Sequence, residues 1–156
     1  MTGENNGLEV PKRLELRPPA YRDEWDQYFE LRWRVLRAPW NQPRGSERDD
    51  LEDDSSHLAI WNEAGVPVAA GRIHLNAPTE AQVRYMAVEP ESAGSGLGSR
   101  ILLGLEARAR ELRATRVVLN ARELARPFYE RHGYTVTGPA ANMFGEVAHV
   151  RMFKTL

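Results

Sequence analysis

Residues 89–112 have the sequence EPESAGSGLGSRILLGLEARAREL and join a glycine-rich loop to an amphipathic segment. The loop carries glycine at alternate positions, Gly94, Gly96 and Gly98. After it, apolar residues recur at the three-to-four-residue spacing of a helix with one buried face. They are Leu97, Ile101, Leu105, Ala109 and Leu112. An apolar run at 83–88 precedes the loop. The stretch therefore predicts a strand, a glycine loop and a helix.

This loop is suited to a phosphate or pyrophosphate group. Glycines leave the backbone uncovered where the helix begins, and that end has free N–H groups and the positive end of the helix dipole. The dinucleotide-binding pattern does not fit, because Ser99 stands where it requires glycine. The nucleoside-triphosphate pattern does not fit either, because the loop lacks its lysine. A turn that only caps the helix remains an alternative.

Bulk composition restricts the class of protein. The chain has 156 residues, 42% of them hydrophobic and 28% charged, with a net charge of −1. These values predict one globular domain over residues 12–156, after a flexible tail at residues 1–11. We expect no nucleic acid or membrane partner from the balanced charge, and a cytoplasmic location because no signal-peptide or membrane-spanning pattern occurs. The chain has no cysteine, and its four histidines lack metal-ligand spacing, so we expect no metal.

The remaining patterns predict an α+β domain with a mixed, mostly antiparallel sheet flanked by helices. About six or seven strands are expected in that sheet. Strands are predicted at residues 14–17, 57–61, 66–75, 81–88, 116–120, 134–137 and 146–153, and helices at residues 21–36, 97–112 and 122–132. The last two strands are expected to be separated by a turn at Gly138-Pro139.

Residues 41–56 are acidic, with Asp49, Asp50, Glu52, Asp53 and Asp54 close together. One interpretation is that they attract a cationic amine, and together with Trp33 and Trp40 they indicate a cationic or aromatic amine as substrate. The alternatives are a solvated surface loop and tryptophans that only pack.

Two motifs resemble those of the GNAT N-acetyltransferases. Residues 88–98, VEPESAGSGLG, resemble the family's acyl-CoA loop, Gln/Arg-x-x-Gly-x-Gly/Ala. Residues 125–134, ARPFYERHGY, are similar to its later block of alanine, Phe-Tyr, a charged pair and Gly-Phe/Tyr. The motifs occur in the family's order, and the resemblance covers residues 81–137. It implies the GNAT fold of an acyl-CoA N-acyltransferase.

The resemblance also implies an enzyme that transfers an acetyl group from acetyl-CoA, its co-substrate, to a primary amine of a small molecule or peptide. The amine attacks directly and a tetrahedral intermediate forms. Ala93 departs from the pattern, because the family usually has Gln or Arg there. A non-catalytic acyl-CoA-binding regulatory domain therefore remains open. Transfer of a longer acyl group is a further alternative, because the site for the thioester arm would be the same, and the oligomeric state, including a homodimer, is also open.

The implied general acid is Tyr129, because a tyrosine hydroxyl is protonated at neutral pH and can donate to a thiolate. A core aromatic is the alternative interpretation of Tyr129. In the family, a bulge separates the strand before the loop from the next strand, although the alternation of Val83, Tyr85 and Ala87 does not indicate one. The implied cofactor contacts are Met86, Ala87, Val88, Ala93, Gly94, Ser95, Gly96, Leu97, Gly98, Ser99, Asn120 and Phe128.

The sequence leaves two questions about site residues open. Asn120 lies at the end of a predicted strand and either contacts a ligand or satisfies a turn. The general base is unassigned among Glu80, His74, His149 and a water chain.

Overall fold

The structure is a computed structural model that describes residues 13–145 and 147–156. The predicted tail, residues 1–11, lies outside the described residues. The described chain contains the helices α1 (Arg22–Leu36), α2 (Leu97–Glu111) and α3 (Arg126–Arg131). Its strands are β1 (Glu15–Arg17), β2 (Ser56–Trp61), β3 (Pro67–Ala77), β4 (Glu80–Val88), β5 (Arg116–Arg122), β6 (Thr135–Met143) and β7 (Val147–Thr155).

The strands form one seven-stranded sheet in the order β1-β2-β3-β4-β5-β7-β6. All neighbours are antiparallel except β4 and β5, which are parallel. The predicted α+β fold with a mostly antiparallel sheet is confirmed. The parallel pairing runs only from Glu80 opposite Arg116 to Gln82 opposite Val118. Beyond it, the described parts of β4 and β5 separate and leave an opening in the middle of the sheet.

Helices cover the two faces of the sheet. The face under α2 buries the larger core, in which Ile101, Leu102 and Leu105 pack against Ile73 and Val117. The face under α1 buries a smaller, aromatic core, in which Tyr28 and Phe29 pack near Trp61. Gly71 lets α2 lie close to β3, because a Cβ there would be 2.5 Å from Cγ2 of Ile101.

The predicted turn at Gly138-Pro139 is wrong, because β6 continues through both residues to Met143. β6 is an edge strand of the described sheet, and an edge strand tolerates proline, which has no N–H to donate to a neighbouring strand. The predicted helix at 122–132 is also too long. Arg122 ends β5, a short 3₁₀ turn follows, and α3 begins at Arg126.

A β-bulge interrupts the pairing of β4 with β3. Ala87 pairs with Ala70 and Arg84 with Arg72, so Tyr85 and Met86 on β4 lie opposite Gly71 alone. Tyr85 has a φ of 56°, in the left-handed region that non-glycine residues rarely occupy. The bulge that the family resemblance implied is therefore present, just beyond the point where β4 separates from β5.

Among the described residues, no helix combines the length and the apolar character needed to cross a membrane.

Candidate active site

A cleft of about 660 Å³ lies where β4 and β5 separate. Backbone and side chains of β4 and β5 form two of its walls, and the end of α1, the turn before α3 and parts of β6 and β7 complete it. The lining includes Arg37, Arg84, Tyr85, Met86, Ala87, Val88, Asn120, Arg122, Tyr129 and His149. The predicted residues Met86, Ala87, Val88, Asn120 and Tyr129 therefore meet in one cavity.

The glycine loop leads from β4 into α2 beside this cleft. Gly94 and Gly96 have φ values of 79° and 83°, which glycine adopts without the strain that a side chain would add. Gly96 is the N-cap residue, and α2 begins at Leu97. Several backbone N–H groups donate to no acceptor within the described residues, namely those of Gly94, Gly96, Leu97, Gly98 and Ser99. Free amides at a helix N-terminus are suited to binding an anion.

Two other predicted amides are engaged in turns within the loop. The Ala93 N–H donates to the carbonyl of Pro90 at 3.2 Å, and the Ser95 N–H donates to that of Ser92 at 3.3 Å. Every residue from Ala93 to Ser99 was predicted to contact the cofactor, but the N–H groups of Ala93 and Ser95 are not free to do so.

The start of α2 is fixed against α3. The Ser99 hydroxyl hydrogen-bonds Nε2 of His132 at 2.8 Å. A Cβ built on Gly98 would lie 3.4 Å from Cζ of Phe128 and 3.7 Å from Cγ2 of Val88. Phe128 thus packs behind the loop rather than lining the cleft, and Val88 connects the loop to the cleft wall.

Tyr129 lies on α3 with its ring packed against Phe128 and Tyr134 at centroid distances of 5.0 and 5.8 Å. It is 7% exposed, and that exposed part faces the cleft. Burial raises the pKa of Tyr129 to about 12, against the opposing charge of Arg122. The hydroxyl therefore stays protonated throughout the neutral range and acts as a hydrogen-bond donor.

Of the three side chains considered as general base, only His149 lines the cleft. Its Nδ1–H donates to the carbonyl of Val147 at 2.8 Å, which leaves the lone pair on Nε2. His74 uses both ring nitrogens, because Nδ1 accepts from Arg72 at 3.1 Å and Nε2 donates to Asn76 at 3.0 Å. Burial, with the charge of Arg72, lowers the pKa of His74. Glu80 lies at the start of β4 and pairs with Arg116 at 3.4 Å.

Two carboxylates of the acidic loop form ion pairs with arginines, two of which are buried. Arg32 and Arg72 are fully buried. The Glu52 carboxylate accepts from Arg32 at 2.9 and 3.0 Å and from Arg72 at 2.9 Å. Asp49 accepts from Arg72 at 2.6 and 3.0 Å and from Arg84 at 2.7 Å. These two carboxylates are therefore committed to ion pairs inside the protein and are not positioned to attract a cationic amine.

The bulged Tyr85 is surrounded by these three arginines and by Arg37. Its ring centroid lies 3.8, 4.6, 5.0 and 5.4 Å from the guanidinium carbons of Arg32, Arg84, Arg72 and Arg37, respectively. Cations this close to an aromatic ring are attracted by its quadrupole. The surrounding charges stabilise the ring in the position that the bulge gives it.

Comparison with known proteins gives the family. The model of the acetyltransferase (GNAT) family matches residues 25–134. The chain belongs to the GNAT acetyltransferase family. GNAT proteins use acyl-CoA thioesters and act on amines. The protein is therefore an acyltransferase of the GNAT N-acetyltransferase type, as its motifs predicted.

One relative supports this assignment, and two solved structures share the fold. The chain is 30% identical, over 126 residues, to the uncharacterised N-acetyltransferase YjcF of Bacillus subtilis, a match that spans 81% of this chain and 89% of YjcF. A putative N-acetyltransferase from Lactobacillus plantarum has the same fold, with a TM-score of 0.80 and 21% identity over 92% of this chain and 98% of that one. An aminoglycoside 6'-N-acetyltransferase in complex with coenzyme A superposes with a TM-score of 0.76 and 16% identity over 92% and 96%.

The sequence motifs mark the glycine loop and Tyr129 but give no sign of the arginines of the cleft. Arg37, Arg84 and Arg122 lie far apart in the sequence and belong to no motif. No cluster of histidine and carboxylate side chains suited to a metal ion occurs among the described residues.

Proposed function

We propose that this GNAT protein transfers an acetyl group from acetyl-CoA to a primary amine of a small molecule or peptide. One observation carries the proposal: the free amides at the start of α2 adjoin a cleft whose walls present Tyr129 and His149. Such a site can hold the phosphates outside the cleft and the thioester within it. The predicted cytoplasmic location, domain bounds and homodimer remain predictions.

The loop residues that would hold the pyrophosphate are those with free N–H groups, from Gly94 to Ser99 without Ser95. The pantetheine arm fits along Met86, Ala87 and Val88, because β4 there has no hydrogen-bond partner on β5 among the described residues. Backbone N–H groups on this free edge are donors for the thioester oxygen as it becomes an oxyanion. Asn120 faces them across the cleft.

In the transfer, the nitrogen of the amine bonds to the acyl carbon, and the bond from that carbon to sulfur breaks. The amine loses a proton, which Nε2 of His149 accepts because its Nδ1–H is held by Val147. The sulfur leaves as a thiolate, and the Tyr129 hydroxyl donates to it. Since the pKa of Tyr129 is about 12, the hydroxyl acts mainly by hydrogen bonding rather than by full proton transfer.

Titration calorimetry with acetyl-CoA tests the cofactor site. A Gly96→Ala variant should bind acetyl-CoA about 5- to 30-fold more weakly, because a left-handed φ costs a non-glycine residue roughly 1–2 kcal/mol and the loop relaxes to avoid it. Gly98→Ala is the matched control. Gly98 is helical, and its Cβ would make only a tight contact of 3.4 Å with Phe128, so its affinity should change little. Equal affinities for both variants would place the cofactor elsewhere.

Steady-state kinetics of Tyr129→Phe tests the assigned acid. We expect kcat to fall roughly 10- to 100-fold, because a hydrogen bond to a charged group is worth about 1.5–3 kcal/mol. The affinity for acetyl-CoA should be unchanged, since the ring and its packing remain. An unchanged kcat would assign Tyr129 to the core instead.

A non-catalytic acyl-CoA-binding domain is the second candidate. The observation in its favour is Ala93, which lacks the usual side chain and whose N–H is bound to Pro90. Such a domain would bind acetyl-CoA in the calorimeter and release no thiol with any amine.

A further inference from the structure

The charged side chains that line the cleft are all basic. Arg37 comes from the end of α1, Arg84 from β4 and Arg122 from the end of β5, and no aspartate or glutamate of the described residues lines the cavity. Clefts lined by one sign of charge concentrate ligands of the opposite sign. The cleft therefore favours an anionic group over a cationic one.

Arg37 is buried, and no described carboxylate forms an ion pair with it. It is 7% exposed, its Nε donates to the carbonyl of Ser46 at 3.0 Å, and its Nη1 donates to that of Leu36 at 3.1 Å. These carbonyls and the neighbouring Tyr85 orient the guanidinium. A buried guanidinium without a carboxylate is costly, and a bound anion would offset that cost.

Arg122 lies on the opposite wall. It stands directly opposite His149 in the pairing of β5 with β7, so both side chains project from the same face of the sheet. Its guanidinium lies 5.8 Å from the ring of Trp40. No described carboxylate is within 4 Å of it, whereas Arg84 is paired with Asp49 at 2.7 Å. Arg37 and Arg122 are thus the cations of the cleft that remain available to a ligand.

We propose that the acyl acceptor is an amine that also carries a carboxylate, and that Arg37 and Arg122 bind this carboxylate. The inference rests on the proposed function and adds the class of acceptor to it. A guanidinium matches the geometry of a carboxylate with parallel hydrogen bonds. Because Arg122 neighbours His149, binding the carboxylate there would bring the amine of a short acceptor close to Nε2 of His149.

The phosphates of acetyl-CoA are the competing explanation for these charges. The free amides at the start of α2 already form a phosphate site, and neither Arg37 nor Arg122 belongs to that loop. Arg37 lies at the end of α1, beside the acidic loop. Substitution of an acceptor-binding arginine should therefore raise the KM for the amine and leave the KM for acetyl-CoA unchanged.

Matched pairs of amines test the proposal by release of the coenzyme A thiol. Glycine, β-alanine, γ-aminobutyrate and a set of L-amino acids would be compared with their carboxamides. We expect kcat/KM to be roughly 10- to 100-fold higher for the preferred carboxylate than for its amide, the value of one charge-assisted hydrogen-bonded contact. The amine of the amide deprotonates more readily, so a preference for the carboxylate cannot arise from amine reactivity.

Arg37→Gln and Arg122→Gln should each reduce that preference at least severalfold, mainly through the KM for the amine. Arg22→Gln is the matched control, since it removes the same charge from an exposed position in the first turn of α1, outside the cleft. Amides that react as well as their carboxylates, or a preference that survives both substitutions, would overturn the proposal while leaving the acetyltransferase function intact. No thiol release with any amine would overturn both.

Discussion

His149→Gln is expected to lower kcat/KM roughly 100- to 10,000-fold, the usual contribution of a positioned general base. Glutamine has a similar size and can still donate to the carbonyl of Val147, but it cannot accept the proton of the amine. Affinity for acetyl-CoA should remain, because His149 lies on β7, away from the glycine loop. The measurement is steady-state thiol release over a range of amine concentrations, together with calorimetry of acetyl-CoA.

A pH profile separates this role from a structural one. At higher pH more of the amine is already neutral, so less depends on a protein base, and the ratio of native to variant rates should fall as the pH rises. A constant ratio across the profile would indicate that the substitution disturbs the cleft. A loss of less than threefold would assign proton removal to a water chain.

The sequence predicted those parts of the fold that depend on local patterns. The helix at 97–112 and the loop before it were readable because apolar spacing and glycines are local signals. The strands predicted at residues 57–61 and 66–75, which correspond to β2 and β3, were readable for the same reason. The pairing of β4 with β5 over three residues, and their separation afterwards, depend on contacts between distant segments and leave no such signal.

The bulge in β4 shows why periodicity alone was insufficient. Ala81, Val83, Tyr85 and Ala87 are all buried, so the alternation appears unbroken. Ala81 and Val83 belong to the core under α2, but Tyr85 lies among the arginines on the other face, and Met86 packs against the α2 core. Both faces of β4 are covered, and burial therefore does not reveal the residue at which the side chains exchange faces.

The candidate site was predictable only where family motifs mark it. Tyr129 and the loop amides belong to such motifs. The sequence could list His149 as a candidate base but could not choose it over His74. The two differ in their hydrogen bonds, because both ring nitrogens of His74 are bonded whereas Nε2 of His149 is free. The acidic loop was open to opposite interpretations because its partners, Arg32 and Arg72, come from α1 and β3.

Glu52→Gln is expected to lower the free energy of unfolding by about 3–5 kcal/mol, the cost of removing one partner from a buried ion pair. Within the described residues, Glu52 provides the only carboxylate that contacts the fully buried Arg32, at 2.9 Å, and it also contacts the fully buried Arg72. Urea unfolding at neutral pH measures the change. Glu111→Gln is the control, because its pair with Arg108 is exposed and worth at most about 1 kcal/mol.

The same cluster predicts how stability depends on pH. Burial alone would raise the pKa of Asp49, but hydrogen bonds and charges from Arg72, the Leu51 N–H and Arg84 outweigh it and lower the pKa to about 2. The pKa of Glu52 is lowered as well, because Arg32 and Arg72 outweigh its burial. An unfolded carboxyl titrates near pH 4, so between pH of about 2 and about 4 the unfolded state binds more protons than the folded state. The stabilisation is complete above that value and is lost as the pH falls towards about 2.

Glu52→Gln should therefore also flatten the loss of stability between pH of about 4 and about 2, because one of the carboxylates that produces it is absent. If the variant is less stable at neutral pH but its unfolding free energy still falls as steeply between these pH values, protonation of Glu52 does not cause that fall. The cluster lies against Tyr85 at the bulge, so weakening it should also disturb the separation of β4 from β5. Acetyl-CoA affinity should then fall in this variant, although Glu52 itself does not line the cleft.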